Sequence, residues 1–257
     1  MATPLALRVA THQARIYLRF WRSSVFAYVL SPVLFLAAIG VGLGGMIDQQ
    51  NANVGGFSYL VFVAPGLMAA AAMQGAAADS LWPIMAGVKW IRVFHAMVAT
   101  PIRPRDVYDG TVASTMARAA LGATVFLVVA AAFGAVPSYW GVVAIPAAAL
   151  CAGAFAAPLT AFSATQETDL RFPVIMRMVI LPLFLVSGTF FPLSQLPGWL
   201  QPIAWLSPLW HGVVLCRDAT TGTLGPGSVL VHTAVLLGCI AAGRLWGIRA
   251  FTRRLGE

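Results

Sequence analysis

The sequence predicts an all-α integral membrane protein with six transmembrane helices, and three observations carry that reading. The chain of 257 residues is 60% hydrophobic and only 9% charged, whereas soluble globular domains run near a quarter charged. Its apolar residues gather in six stretches close to the roughly 20 residues that a hydrocarbon core about 30 Å thick requires. Its sixteen Lys and Arg residues fall between the stretches so that all but Arg217 can be placed on one side. Loops rich in Lys and Arg resist translocation, so both termini are expected in the cytoplasm.

The stretches run over about 24–46, 57–80, 110–134, 138–163, 172–191 and 227–248. Arg8, Arg15, Arg19 and Arg22 precede the first and resemble the start of a signal peptide. The apolar run that follows is too long for a signal core and ends in Gly42, Gly44 and Gly45, which predicts an uncleaved anchor. Lys89, Arg92, Arg103 and Arg105 lie between the second and third. The third and fourth are separated only by Gly134 to Ser138, with Pro137 in the turn, so they are expected to be antiparallel neighbours. Arg171 and Arg177 open the fifth, and Arg244, Arg249, Arg253 and Arg254 close the sixth. Arg118 falls in the early turns of the third. It is expected to snorkel or to face a partner helix, since leaving it at the hydrocarbon centre costs about 2.5–3.5 kcal/mol.

Three segments do not fit the spans. At the N-terminus, residues 1–22, Arg8, His12, Arg15, Arg19 and Arg22 recur at helical spacing, with Leu5, Val9, Ile16 and Phe20 on other faces. That periodicity predicts a helix lying in the membrane interface. In the inner loop, residues 81–109, Trp90, Phe94 and Met97 fall at i, i+4 and i+7 with Lys89, Arg92 and His95 beside them, and Thr100, Pro101 and Pro104 end the helix. Headgroups or a cytoplasmic partner both suit such a face. The outer segment, residues 190–222, is apolar but interrupted by Pro192, Pro197, Pro202 and Pro208. Two short helices dipping into the bilayer and returning are expected there. Trp199, Trp205 and Trp210 suit either an interfacial belt or the mouth of a pathway.

Several functions are disfavoured by missing chemistry. The net charge of +8 flanks apolar spans instead of gathering on one surface with base readers, so lipid headgroups are expected as partners and nucleic acid is not. Lys89, the single lysine, is followed by Trp90, so there is no Walker A loop to cradle nucleotide phosphates. Cys151, Cys216 and Cys239 are odd in number and far apart, which predicts packing residues and no metal. His12, His95, His211 and His232 show no pair at ligand spacing. An intramembrane serine protease would use Ser187 and His232, but position 185 is Leu where the nucleophile motif needs Gly. A proton-coupled transporter would use Asp79, which falls at the inner end of the second expected span, where a helix terminus or a basic loop would pair with it. Both stand as alternatives.

Two stretches resemble the permeases of type-2 ATP-binding-cassette exporters. "VKWIRVFHAMVATPIRPRDVYDG", Val88 to Gly110, looks like the family's inner coupling helix followed by its T-P-x-x-x-x-D-x-x-x-G run. "LFLVSGTFFPLSQLPGWLQPIAWLSPLWHGVVLCRD", Leu183 to Asp218, is similar to its S-G-x-x-F-P-L-x-x-L-P stretch with a downstream P-L-x-H-x-V. Among subfamilies the likeness is strongest to permeases exporting lipo-oligosaccharide nodulation factors and those exporting daunorubicin-type drugs. The resemblance implies one permease domain over residues 1–257 in a bacterial inner membrane. It implies pairing with a second copy or a paralogue and with separate ATPase subunits that carry the ATP and Mg, so the chain itself is neither an enzyme nor a cofactor binder. Trp90, Phe94 and Met97 would seat in a groove on the ATPase, with Lys89, Arg92 and His95 at the rim. An amphiphilic cargo would leave past Phe190, Phe191 and Trp199.

Overall fold

The computed structural model describes residues 5–19, 33–38 and 56–256, and the elements among them are helical. Helix α1 is Leu5–Arg19. A helical stretch at 33–38 is the described part of the first expected span, the rest of which, like Arg22, lies outside the described residues. Helix α2, Tyr59–Met85, runs on through a π-helical turn, Ala86–Trp90. Then come α3 (Val93–Val98), α4 (Pro104–Ala132), and α5 (Ala144–Thr165) behind a 3-10 turn, Tyr139–Val143. Short helices α6 (Phe172–Ile175) and α7 (Leu181–Val186) are joined by a π-helical turn, Met176–Ile180. Helices α8 (Gln201–Leu206), α9 (Pro208–Thr221) and α10 (Pro226–Leu255) complete the chain.

Among the described residues, four helical runs are long and apolar enough to cross a membrane: Tyr59–Trp90, Pro104–Ala132, Tyr139–Thr165 and Pro226–Leu255. In the most apolar part of each, 78% of the first and 61% of the third is buried, against 22% and 17% for the other two. Helices α2 and α5 therefore form the centre, and α4 and α10 pack around them. Small residues make this possible. Without a hydrophobic drive between helices in lipid, tight backbone approach supplies the attraction, and most alanines of α2 and α5 are buried, with Ala71 and Ala78 exposed. Gly243 of α10 lies so near α5 that a Cβ there would be 2.6 Å from the backbone nitrogen of Pro158.

Several boundaries differ from the sequence expectation. The second span does not stop near residue 80. Pro83 cannot donate to the carbonyl four residues back, yet Leu81, Ile84, Met85 and Val88 are buried, and that packing carries the helix to Trp90. The fifth segment is helical only over 172–186, roughly 22 Å, because Ser187 leaves helical geometry and Gly188 takes φ 73°. Over the outer segment, the chain makes α8 and α9 as two short helices, and Ser207 caps α9 by accepting from the Leu209 N–H at 3.2 Å. Helix α9 is not peripheral: Leu209, Val213 and Cys216 are fully buried against α2 and α5.

Candidate functional site

The basic end of the bundle is built around the turn between α2 and α3. Arg92 adopts φ 58°, a left-handed conformation that costs an arginine about 1 kcal/mol or more, and it turns α3 back against the π-helical turn, α4 and α10. Trp90 and Ile91 are left projecting at 55% and 74% exposure, with Lys89, Arg92 and His95 also exposed and Met97 half-buried. Phe94 does the opposite of what its spacing implied. It is 4% exposed and packs on Phe251 of α10 with ring centroids 6.0 Å apart, filling a space beside Gly87 where a Cβ would come within 2.5 Å of its ring. The expectation that Phe94 meets an external groove is therefore corrected: the break at Arg92 splits the expected single helix, so that Phe94 points in as an anchor while Trp90 and Ile91 form a cap pointing out.

Phe94 begins a chain of contacts that leads into the bundle. Phe251 stacks edge-on with Tyr108 of α4 at 5.4 Å, and the Tyr108 hydroxyl donates to the Ala157 carbonyl of α5 at 2.9 Å. Arg244 of α10 donates twice to Asp109 of α4, at 2.7 Å each. At the rim, Glu167, just beyond α5, accepts from Arg254 at 2.6 Å and from Lys89 at 3.2 Å. Periodicity within one segment offered no signal for Phe251, Tyr108 or Glu167, because each is defined by a partner more than thirty residues away.

The Arg254 hydrogen bond, then that of Lys89, holds the Glu167 carboxyl below the usual carboxylate range. A depressed folded-state value means that the link is fully present above the ordinary carboxylate pKa and is lost as pH falls through the lower, folded one. Hydrogen exchange over residues 86–98, expressed as protection relative to the intrinsic rate at each pH, is therefore expected to be equally slow at pH 7 and pH 5. Glu167→Gln should accelerate it at both. Acceleration of the unaltered chain between pH 7 and 5 would contradict the assignment.

Helix α1 packs against α4. Val9 is 1% exposed, the Gln13 side chain donates to Thr111 of α4 at 3.0 Å, and Ser114 of α4 donates back to Gln13. Arg8, His12 and Arg15 are exposed along the other side, with Arg19 in the last turn.

Between α2 and α4 lies a cleft of about 330 Å³. Arg118 donates to Asp79 at 3.0 Å and to Thr115 at 3.1 Å at the end of the cleft nearer the basic loops. Asp79 is thus paired with a neighbouring span, and the expected partner at a helix terminus or in a basic loop is corrected. Phe184 of α7 touches both the cleft and, edge-on at 5.0 Å, Phe190. Phe190 and Phe191 are half-buried and Trp199 is 71% exposed.

The fold also joins His211 of α9 to His232 of α10, Nδ1 to Nδ1 at 2.6 Å, a pairing hidden by their separation in sequence. His211 Nε2 lies 3.0 Å from the Trp205 carbonyl, which makes it the donor there. Ser187 is buried against Ser207 at 3.0 Å. Since His232 meets His211 and Ser187 meets Ser207, the two residues of the protease alternative are each committed elsewhere. Arg217, the single basic residue of the opposite loops, donates to the carbonyls of Phe62 and Gly188 and stacks 3.8 Å over the Phe62 ring. It serves the broken end of α7.

A family model described as "ABC-2 type transporter" matches residues 9–220. Among curated proteins, the chain is 32% identical over 200 residues to "Nodulation protein J" of Rhizobium leguminosarum bv. trifolii, covering 78% of this chain and 75% of that one. To "Nodulation protein J" of Rhizobium leguminosarum bv. viciae it is 30% identical over 239 residues, 91% and 90% of the two chains. "Inner membrane transport permease YadH" of Escherichia coli is 24% identical over 220 residues, 84% and 82%.

Proposed function

Because the chain belongs to the ABC-2 type transporter family and is a multi-pass membrane subunit, we propose that it is the permease of an ATP-driven exporter for an amphiphilic or lipid-linked cargo. The cargo classes in view are a drug, a glycolipid or a lipo-oligosaccharide. Residues 1–257 form one permease domain with six spans, both termini and the basic loops lying in the cytoplasm of a bacterial cell. The relative named as an inner membrane permease supports that membrane. A second copy or a paralogue completes the pathway, and a separate ATPase holds ATP and Mg.

One observation carries the reading: an exposed apolar cap rimmed by basic side chains sits on a strained turn that is tied into the core. An exposed Trp and Ile beside Lys89, Arg92 and His95 suit an interface centre with a polar rim. The path from Phe94 through Phe251 and Tyr108 to α5 gives pressure on the cap a mechanical route to the spans. Hinge-like transmission needs such packed, discrete contacts. Helix α1, docked on α4, lies alongside.

The test is co-purification with an ATPase encoded beside this chain. Trp90→Ala is expected to insert normally and to retain at least tenfold less ATPase, since losing a central interface aromatic costs about 2 kcal/mol or more. Retention and export equal to the unaltered chain would remove Trp90 from the interface. Uphill export by the permease alone in vesicles would end the ATPase-driven reading.

A further inference from the structure

The cleft between α2 and α4 contains the membrane-embedded charges that the coupling path does not use. Lys89 lies ten residues beyond Asp79, about 15 Å along the helix, so Asp79 and Arg118 sit well inside the span. Ionisable residues at such depth are expensive and by default functional. The pair is not sealed: the Arg118 side chain is 18% and that of Asp79 35% exposed. Tyr17 of α1 approaches the guanidinium at 6.0 Å.

The two walls differ from ordinary helix packing. Ala71, Gln74 and Gly75 of α2 are exposed to the opening, and a Cβ on Gly75 would meet nothing within 4 Å. Gly122 and Ala119 face them from α4. Beyond this narrow-residue region the lining becomes apolar, with Leu67, Met68 and Phe126. Asp79 to Leu67 spans about 18 Å of helix, close to the roughly 15 Å of hydrocarbon in one leaflet.

The charges define what fits. A guanidinium has five N–H donors, and the bonds to Asp79 and Thr115 engage two groups of it. Gln74 adds an exposed amide five residues above Asp79. An anionic head group would meet Asp79, and a cationic one would meet Arg118. A group without net charge whose hydroxyls or amides both donate and accept matches this paired arrangement.

We infer that the cleft is a head-group site for an amphiphile, with an uncharged hydroxyl- or amide-bearing head on Gln74, Asp79 and Arg118 and an apolar tail along Leu67, Met68 and Phe126. As a step in export this rests on the proposed transport function. A resident membrane lipid of the same head-group chemistry is the other source of the ligand.

The test uses the full chain with its ATPase in lipid nanodiscs and three photoreactive probes of equal tail length: an alkyl maltoside, an alkyl phosphate and an alkyl trimethylammonium. The maltoside is expected to label residues 67–79 and 115–126 at least fivefold more than the charged probes. Gly75→Leu, which enters open space, and Gln74→Ala should each reduce that labelling severalfold while thermal stability stays unchanged. Asp79→Asn with Arg118→Gln, which removes both charges together, should abolish the preference among the probes. Adding ATP and Mg should deplete the label if the bound molecule is cargo; a label insensitive to ATP assigns the site to resident lipid. Equal labelling by the three probes, or full labelling of both Gly75→Leu and Gln74→Ala, would overturn the site. Selective labelling without a retained ATPase would keep the site and remove the exporter reading.

Discussion

Phe94→Ala is expected to leave the permease inserted and its ATPase bound, yet to separate ATP hydrolysis from export. The reason is the division of labour between the two sides of the Arg92 turn. Helix α3 has six residues, too few to be stable alone in water, so its position depends on the buried ring. Removing a buried Phe costs about 3–5 kcal/mol, enough to release the segment from Phe251 and Gly87. Trp90 and Ile91 would still present an apolar surface to a partner. Export by the reconstituted complex should fall by an order of magnitude or more while ATPase turnover continues. Phe251→Ala, which removes the other half of the contact, should behave alike, and Trp90→Ala should instead lose the partner. If Phe94→Ala loses ATPase binding to the same degree as Trp90→Ala, the inward anchor is not separable from the interface.

The second large effect is structural. Gly243→Ala should lower the thermal midpoint of the purified permease by several degrees. Its Cβ would come within 2.6 Å of Pro158 N and 2.8 Å of Ala157 C. Both are backbone atoms, so no rotamer change relieves the clash and α5 and α10 must move apart. Overpacking of this kind costs about 1–3 kcal/mol, and each kilocalorie lowers the midpoint of a domain this size by roughly 2–4 °C. Gly238→Ala, on the same helix with nothing within 4 Å, is the control and should leave the midpoint level or slightly higher. Equal stability of the two variants would contradict the close approach.

The sequence was informative where one segment's pattern was enough. The apolar runs expected near 57–80, 110–134, 138–163 and 227–248 each overlap a helix long and apolar enough to cross a membrane, with ends that differ by up to ten residues. Trp90, Phe94 and Met97 were expected on one amphipathic helix, which the left-handed Arg92 breaks, and periodicity states which residues share a face and not which neighbour that face meets. Phe94 therefore looked like a partner contact until Phe251, 157 residues later, came beside it. Asp79 looked like a helix-end carboxylate because the second apolar run was expected to end near residue 80, whereas the helix runs on through Pro83 to Trp90.

Composition and the order of apolar runs determined by themselves that the chain lives in lipid, that it is helical, and which loops carry positive charge. These follow from the cost of exposing backbone and charge to hydrocarbon, which acts on each segment independently. Only the tertiary structure decided that Asp79 meets Arg118, that His211 meets His232, that Glu167 joins Lys89 to Arg254, and that Phe94 points inward. Each of these is a contact between distant segments, fixed by how small residues let the helices approach, and no local pattern encodes that geometry.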